Sequence, residues 1–158
     1  MKKLTHFFIF GMLALIIIQF VSCAEETDCS MTARKMLNAT FYKKLNTAQK
    51  DTLDSLTVTA FGTDSIIVNK DVKVSGESFP LNWTADSTAL IFHYANTTKK
   101  DTIKIWHSNA PIFVSMECGY SMAQTISKVS YTKHVLDSIY VAYKLANIDA
   151  IQNIRIYY

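Results

Sequence analysis

The feature that most constrains the fold of this 158-residue chain is an alternation of apolar and polar residues with a period of two. The alternating runs are residues 56–60, 72–74, 103–105, 112–118, 139–143 and 154–156. They are rich in Thr, Val, Ile, Tyr and Phe, which suit a half-buried pleated surface, and no window of useful length shows a helical stripe. Short strands that recur about every 8–12 residues predict an all-β fold. We expect an antiparallel β-sandwich of immunoglobulin-like type, with a closed calycin-like β-barrel as the alternative.

The N-terminus indicates export. Lys2 and Lys3 precede an apolar run over residues 7–21, which is shorter than the ~20 residues of a membrane-spanning helix and is typical of a secretory signal. The run ends in Val21-Ser22-Cys23, which resembles a bacterial lipobox, although Phe20 stands where Leu is usual. Cleavage before Cys23 would make that cysteine the lipidated residue; the alternative is a plain secreted protein with an ordinary thiol. The domains expected are a signal peptide (1–22), a lipidated acidic tether (23–35) and a single β-sandwich (36–158).

The charge of the mature chain excludes one class of partner. The formal charge of +3 falls to +1 once the two signal-peptide lysines are removed, since 3 − 2 = 1. No basic patch remains, so we do not expect nucleic-acid binding. The partners expected are the membrane, through a lipid on Cys23, and an unknown protein or glycan.

The cysteine count predicts a disulfide. If Cys23 carries a lipid, Cys29 and Cys118 remain, and an even number of thiols in an oxidising compartment favours a bridge. A loop of roughly 90 residues would contribute about 4–5 kcal/mol by chain entropy. Alternation places Cys118 with Ile112, Val114 and Met116 on what we expect to be a core-facing side. Two unpaired thiols are the alternative.

A short unit, Asp followed by Ser or Thr, recurs six times before an apolar residue or Thr and is expected mostly where a strand begins. Asp and Ser side chains bond nearby backbone groups in turns, which is one reason for the unit. The unit also resembles the O-glycosylation acceptor of secreted proteins of Bacteroidota. The candidate acceptor hydroxyls are those of Thr52, Ser55, Ser65, Ser87, Thr102 and Ser138.

No catalytic, metal or cofactor site is predicted. His93 and His107 lie on one expected hairpin, but pairing Tyr94 with Asp101 puts the two imidazoles on opposite faces, one at the surface and one at a sheet end. Nucleophile-elbow, phosphate-loop and zinc-helix motifs are absent from the sequence. His134 and Asp137 could form part of a triad only if the fold brought them to a nucleophile. We therefore expect a protein that is not an enzyme.

Five segments together resemble an uncharacterised family of outer-membrane lipoproteins of Bacteroidota, a domain of unknown function. They are residues 28–34, 50–67, 85–94, 113–120 and 137–141. The resemblance implies an outer-membrane protein, lipid-anchored and facing the periplasm or the cell surface. The acidic residues Glu25, Glu26 and Asp28 resemble the export signal of surface lipoproteins.

These observations lead to two functional expectations. The first is a non-catalytic, lipid-anchored module of the cell envelope that binds a protein or glycan, or acts as an accessory subunit. The alternative is a carrier of a small apolar ligand inside a β-barrel cavity.

Overall fold

The computed structural model describes residues 29, 35–44, 50–63, 65–95, 97–147 and 150–158. The expected signal peptide, Cys23 and most of the tether lie outside these residues. The described strands are β1 (Met36–Tyr42), β2 (Leu53–Ala60), β3 (Ile66–Val74), β4 (Gly76–Pro80), β5 (Ser87–Tyr94), β6 (Lys100–Ser115), β7 (Gly119–Tyr131), β8 (Ser138–Val141) and β9 (Ile154–Tyr157). Within those ranges no helix is long and apolar enough to cross a membrane.

The strands form two sheets, which confirms the predicted sandwich. One sheet has the order β4-β1-β9-β8 and the other the order β3-β2-β5-β6-β7, and the strands of these ranges do not close into a barrel. The smaller sheet is mixed, because β9 runs parallel to β1, with Ala39 opposite Ile154 and Tyr42 opposite Tyr157. The chain between β1 and β9 includes the whole larger sheet, which gives the long crossover that a parallel pair needs.

Side chains from both sheets fill the space between them. Phe92 of β5 packs against Phe41 of β1 and Phe79 of β4, with ring centroids 6.5 and 5.4 Å apart. All three rings are fully buried, and each contributes about 1.5–3 kcal/mol through the apolar surface it removes from water. Alternate residues of the strands supply the rest of this core, including Leu56 and Ile103.

The β5–β6 hairpin differs from the expected register but keeps the expected side-chain faces. Asp101 lies opposite Phe92 rather than Tyr94, so the expected register was off by two residues. An even shift leaves every side chain on its expected face. His107 accordingly points into the sandwich, but it is buried within the 16-residue strand β6 and does not lie at a sheet end, which corrects the expectation.

The outer part of β6 pairs only with β7 among the described strands. This segment, which we call the β6–β7 arm, comprises residues 110–123, with ladder pairs from Ala110–Ala123 to Ser115–Gly119. Ile112 and Met116 are exposed, and Cys118 lies in the turn that joins the two strands. The expectation that they form a core-facing side was therefore wrong, because no described sheet packs over this end.

Cys29 and Cys118 form a disulfide, with their Cα atoms 5.3 Å apart and a sequence separation of 89. The pairing is the one expected from the cysteine count. Its location differs from expectation: the bond joins the start of the described chain to the tip of the β6–β7 arm rather than to a core strand.

Candidate functional site

Two clefts are formed by described residues, and the larger of these two lies where the β2–β3 turn approaches the β4–β5 loop. It has a volume of about 940 Å³ and is open to solvent. Its lining includes Phe61, Thr63, Asn82, Trp83, Thr84 and Lys104. Residues far apart in sequence therefore meet at one place, as is common for binding sites carried on loops.

Two large aromatic side chains line the cleft and remain accessible. Phe61 is 61% exposed and Trp83 is 42% exposed. Phe61 is fixed by its backbone N–H, which donates to the carbonyl of Ala89 at 2.9 Å. Gly62, with a φ of +78°, supplies the left-handed conformation that this tight turn requires. Exposed aromatic rings in a concave surface are informative because large apolar side chains are usually covered.

The side-chain amide of Asn109 binds three carbonyls of the β4–β5 loop. The Nδ2 of Asn109 donates to the carbonyls of Asn82, Trp83 and Ala85 at 3.3, 3.1 and 2.7 Å. The loop also bonds within itself, since the N–H of Thr84 donates to Oδ1 of Asn82 at 2.9 Å. These bonds satisfy irregular backbone near the cleft and fix the position of Trp83.

His107 lies beneath this loop in its neutral form. Its Nδ1 is 3.1 Å from Oδ1 of Asn109, and its Nε2 is 2.9 Å from the hydroxyl of Thr88. Because the nitrogen of the Asn109 amide already donates, its oxygen accepts, so Nδ1 of His107 carries the proton. Nε2 then accepts from Thr88, whose oxygen accepts from the N–H of Asn82 at 2.8 Å. Burial lowers the pKa of His107, against the opposing effects of Asn109 and Asp86.

Gln124 completes the network from the neighbouring strand. It is fully buried, and its Nε2 donates to Oδ1 of Asn109 at 2.9 Å and to the carbonyl of Asn82 at 3.1 Å. Its Oε1 has no hydrogen-bond partner among the residues that the structure describes. Sequence reasoning missed this network. The available signal was the presence of polar residues at inward-facing positions of β6, where apolar ones were expected.

Four of the six Asp-Ser/Thr units stand where a strand begins, as expected. Thr52 and Ser65 immediately precede β2 and β3, whereas Ser87 and Ser138 are the first residues of β5 and β8. Ser55 and Thr102 lie inside strands instead. Thr52 and Ser65 are exposed, and the remaining four hydroxyl-bearing residues are half-buried.

Asp101 belongs to one of these units, but its side chain is fully buried. Its carboxylate accepts from the Thr132 hydroxyl at 2.8 Å and from the N–H groups of His134, Val135 and Leu136 at 2.8–3.0 Å. The Tyr94 hydroxyl donates a further bond of 3.2 Å. Asp101 therefore fixes the loop that leads to β8, a role that no sequence pattern indicated.

The structure does not assemble the one acid–base pair that the sequence offered. The Nδ1 of His134 is 2.8 Å from the carbonyl of Lys100 and 3.3 Å from Oδ1 of Asp101. Asp137 instead accepts from Nζ of Lys44 at 2.7 Å. Across the described ranges, no group of three or more His, Cys, Asp or Glu side chains is placed to hold a metal ion.

A smaller cleft of about 460 Å³ lies beside Asp51, Asp54 and Lys43. Burial and the negative charge of Asp51, with that of Asp54, raise the pKa of Tyr158 to about 12. The two tyrosines of this cleft, Tyr94 and Tyr158, are half-buried. Because the described residues that line this smaller cleft include no exposed aromatic ring, we take the larger cleft as the candidate site.

Comparison with known proteins gives a family but no function. A family model described as "Family of unknown function (DUF6452)" matches residues 55–158, a range that includes every residue lining the larger cleft. No curated protein and no solved structure matches the chain. Since the matched range covers more than half of the sequence, the chain belongs to this family of unknown function, DUF6452.

Proposed function

We propose that this protein is a non-catalytic, lipid-anchored binding module of the outer membrane of Bacteroidota, and that its larger cleft binds a glycan. The observation that supports the glycan is the combination of Phe61 and Trp83 with polar side chains in one open cleft. A sugar ring has apolar C–H faces that stack on aromatic rings, and hydroxyls that bond to polar groups. An apolar surface with a few placed polar groups is the usual composition of a small-ligand site.

The polar groups of the cleft suit a hydroxylated ligand. Thr63, Thr84 and Ser87 contribute hydroxyls, and Lys104 contributes an ammonium group. Among the described residues that line the cleft, Lys104 is the only charged one, so a neutral or acidic glycan fits better than a cationic one. The hydrogen bonds from Asn109 and Gln124 hold the loop that bears Trp83, which lowers the entropy lost when a ligand binds.

The alternative of an apolar-ligand carrier has less support. It required strands closed into a barrel around an apolar cavity, whereas the described strands form two sheets whose facing side chains pack together. An enzyme also has less support, because His134 and Asp137 point to different partners.

The lipid anchor is proposed from the signal sequence and from Val21-Ser22-Cys23. The Cys29–Cys118 disulfide supports an oxidising, extracytoplasmic compartment. Replacing Cys23 with alanine should release the protein from sedimented membranes. A variant that sediments with membranes as fully as the wild type would overturn the anchor.

The glycan is tested by screening the mature protein against a panel of neutral and acidic oligosaccharides, followed by calorimetry on those that bind. Trp83→Ala should weaken binding by at least about tenfold, which is about 1.4 kcal/mol. Tyr140→Ala is the matched control, because Tyr140 is an exposed aromatic residue of β8 outside the cleft. Unchanged affinity in Trp83→Ala, or binding of polypeptides but of no oligosaccharide, would refute the glycan.

A further inference from the structure

The tip of the β6–β7 arm carries an exposed apolar cluster. Phe113 is 55% exposed, Tyr120 75% and Met116 91%, and Ile112 is also exposed. Phe113 and Tyr120 lie opposite each other in the ladder, and their rings form an edge-to-face pair with centroids 5.6 Å apart. Exposed apolar patches of this kind mark surfaces that contact a protein or a membrane.

The arm extends beyond the rest of its sheet. Strand β5 begins at Ser87, opposite Trp106, so β6 continues past the last residue that β5 covers. From Ala110 to Ser115, at about 3.4 Å per residue, the arm extends about 20 Å. The backbone groups that face each other across the arm pair with one another, whereas those on its two outer edges need water, so only the side chains of the tip can enter an apolar environment.

The disulfide places this tip close to the expected lipid. Cys118 lies in the turn of the arm and is bonded to Cys29, which is six residues after Cys23. A fully extended chain spans at most about 3.3–3.6 Å per residue, so Cys23 lies within about 20 Å of Cys29. A lipid on Cys23 would therefore hold the tip beside the membrane in which that lipid is inserted.

We propose that the tip of the β6–β7 arm docks on the lipid bilayer, inserting Phe113, Met116 and Tyr120 at the boundary between headgroups and acyl chains. The inference rests on the lipid anchor of the proposed function. Aromatic rings with a polar edge are favoured at this boundary, where apolar side chains are buried by about 5–10 Å. Glu117 is the only charged residue of the arm.

Because a lipid on Cys23 would hold the tip near the bilayer, a small apolar surface is sufficient for docking. Once the lipid is inserted, contact between the tip and the bilayer is an intramolecular event with a high effective concentration. A separate protein partner would have to bind the same three side chains without that advantage. The bilayer is therefore the partner that the covalent connection favours.

Phe113→Trp provides a reporter with little change in shape. The lipidated mature protein is reconstituted into vesicles of phosphatidylethanolamine and phosphatidylglycerol, and the emission of the wild type, which contains Trp83 and Trp106, is subtracted. Thr98→Trp is the control, because Thr98 is exposed in the β5–β6 connection at the opposite end of β6. Thermal unfolding of each variant checks that it is folded.

The added emission of Phe113→Trp should shift to shorter wavelength in vesicles and be quenched by lipids brominated near the headgroup end of the acyl chain. That of Thr98→Trp should do neither. An unshifted reporter in protein whose intact mass shows the lipid overturns the inference and leaves the anchor standing. A shift without quenching by brominated lipid indicates a protein contact and also overturns it. An unlipidated Cys23 removes both the inference and the anchor, while glycan binding is measured independently.

Discussion

Replacing Asp101 with asparagine is expected to lower the free energy of unfolding by about 2–4 kcal/mol. Oδ2 of Asp101 accepts from Tyr94 and from the N–H groups of Val135 and Leu136, and Oδ1 accepts from Thr132 and from the N–H of His134. The side-chain oxygen of an asparagine can take the place of Oδ2. Its NH₂ group then takes the place of Oδ1, and the Thr132 hydroxyl can rotate to accept from it. The N–H of His134 would then face a donor in a buried site.

The magnitude follows from these contacts. One buried N–H without an acceptor costs about 1–3 kcal/mol, and the remaining bonds lose the strengthening that an ionised acceptor gives. Asparagine avoids the desolvation of a buried carboxylate, which offsets part of the loss. The expected net loss is therefore larger than that of a typical surface substitution.

The loss should also depend on pH. Burial raises the pKa of Asp101, but hydrogen bonds from His134, Leu136, Thr132 and Val135 outweigh it, so the pKa lies below its ordinary value of 3.8. A carboxyl with a lower pKa in the folded state contributes stability that is present above the unfolded pKa and is lost as the pH falls through the folded one. Asparagine does not titrate, so the difference in free energy of unfolding between wild type and variant should become smaller below about pH 4.

Urea unfolding of the disulfide-intact protein over a series of pH values measures both effects. Asp137→Asn is the matched control, because Asp137 is partly exposed and paired with Lys44 at the surface, where an ion pair contributes little. Two results would contradict the role of Asp101 as a buried, ionised acceptor. One is that Asp101→Asn lowers the free energy of unfolding at pH 7 no more than the control does. The other is that the difference between wild type and Asp101→Asn stays constant through the acid range.

Two further expectations concern other sites. Because burial lowers the pKa of His107, the free energy of unfolding should fall as the pH falls from about 7.5 to about 5. In urea titrations over this range, the fall should be smaller for His107→Gln than for the wild type. An equal fall in both proteins would contradict the assignment to His107. Peptide mapping of the native protein should find any O-glycan on exposed Thr52 or Ser65 and not on Thr102, whose neighbouring Asp101 is buried; a glycan on Thr102 alone would contradict it.

The alternation of side chains decided which residues of a strand share a face. Leu90 and Phe92 alternate along β5, Ile103 and Ile105 alternate along β6, and all four are buried in the core. The result did not depend on the correct register, since the observed shift of two residues preserves the faces. The pairing of Cys29 with Cys118 was likewise predictable, because only two thiols remained after Cys23 was assigned to the lipid.

Tertiary structure decided whether a face is covered. Residues 103–107 and 112–116 show the same alternation, yet the first segment packs against the smaller sheet and the second forms an exposed arm. The Asp-Thr units at Asp51 and Asp101 have the same local pattern, but only Asp101 meets the loop donors that bury it. The cleft joins Phe61 and Trp83 from separate loops, which no local spacing indicates. Side-chain direction is a local property of the backbone, whereas burial depends on which distant elements pack over it.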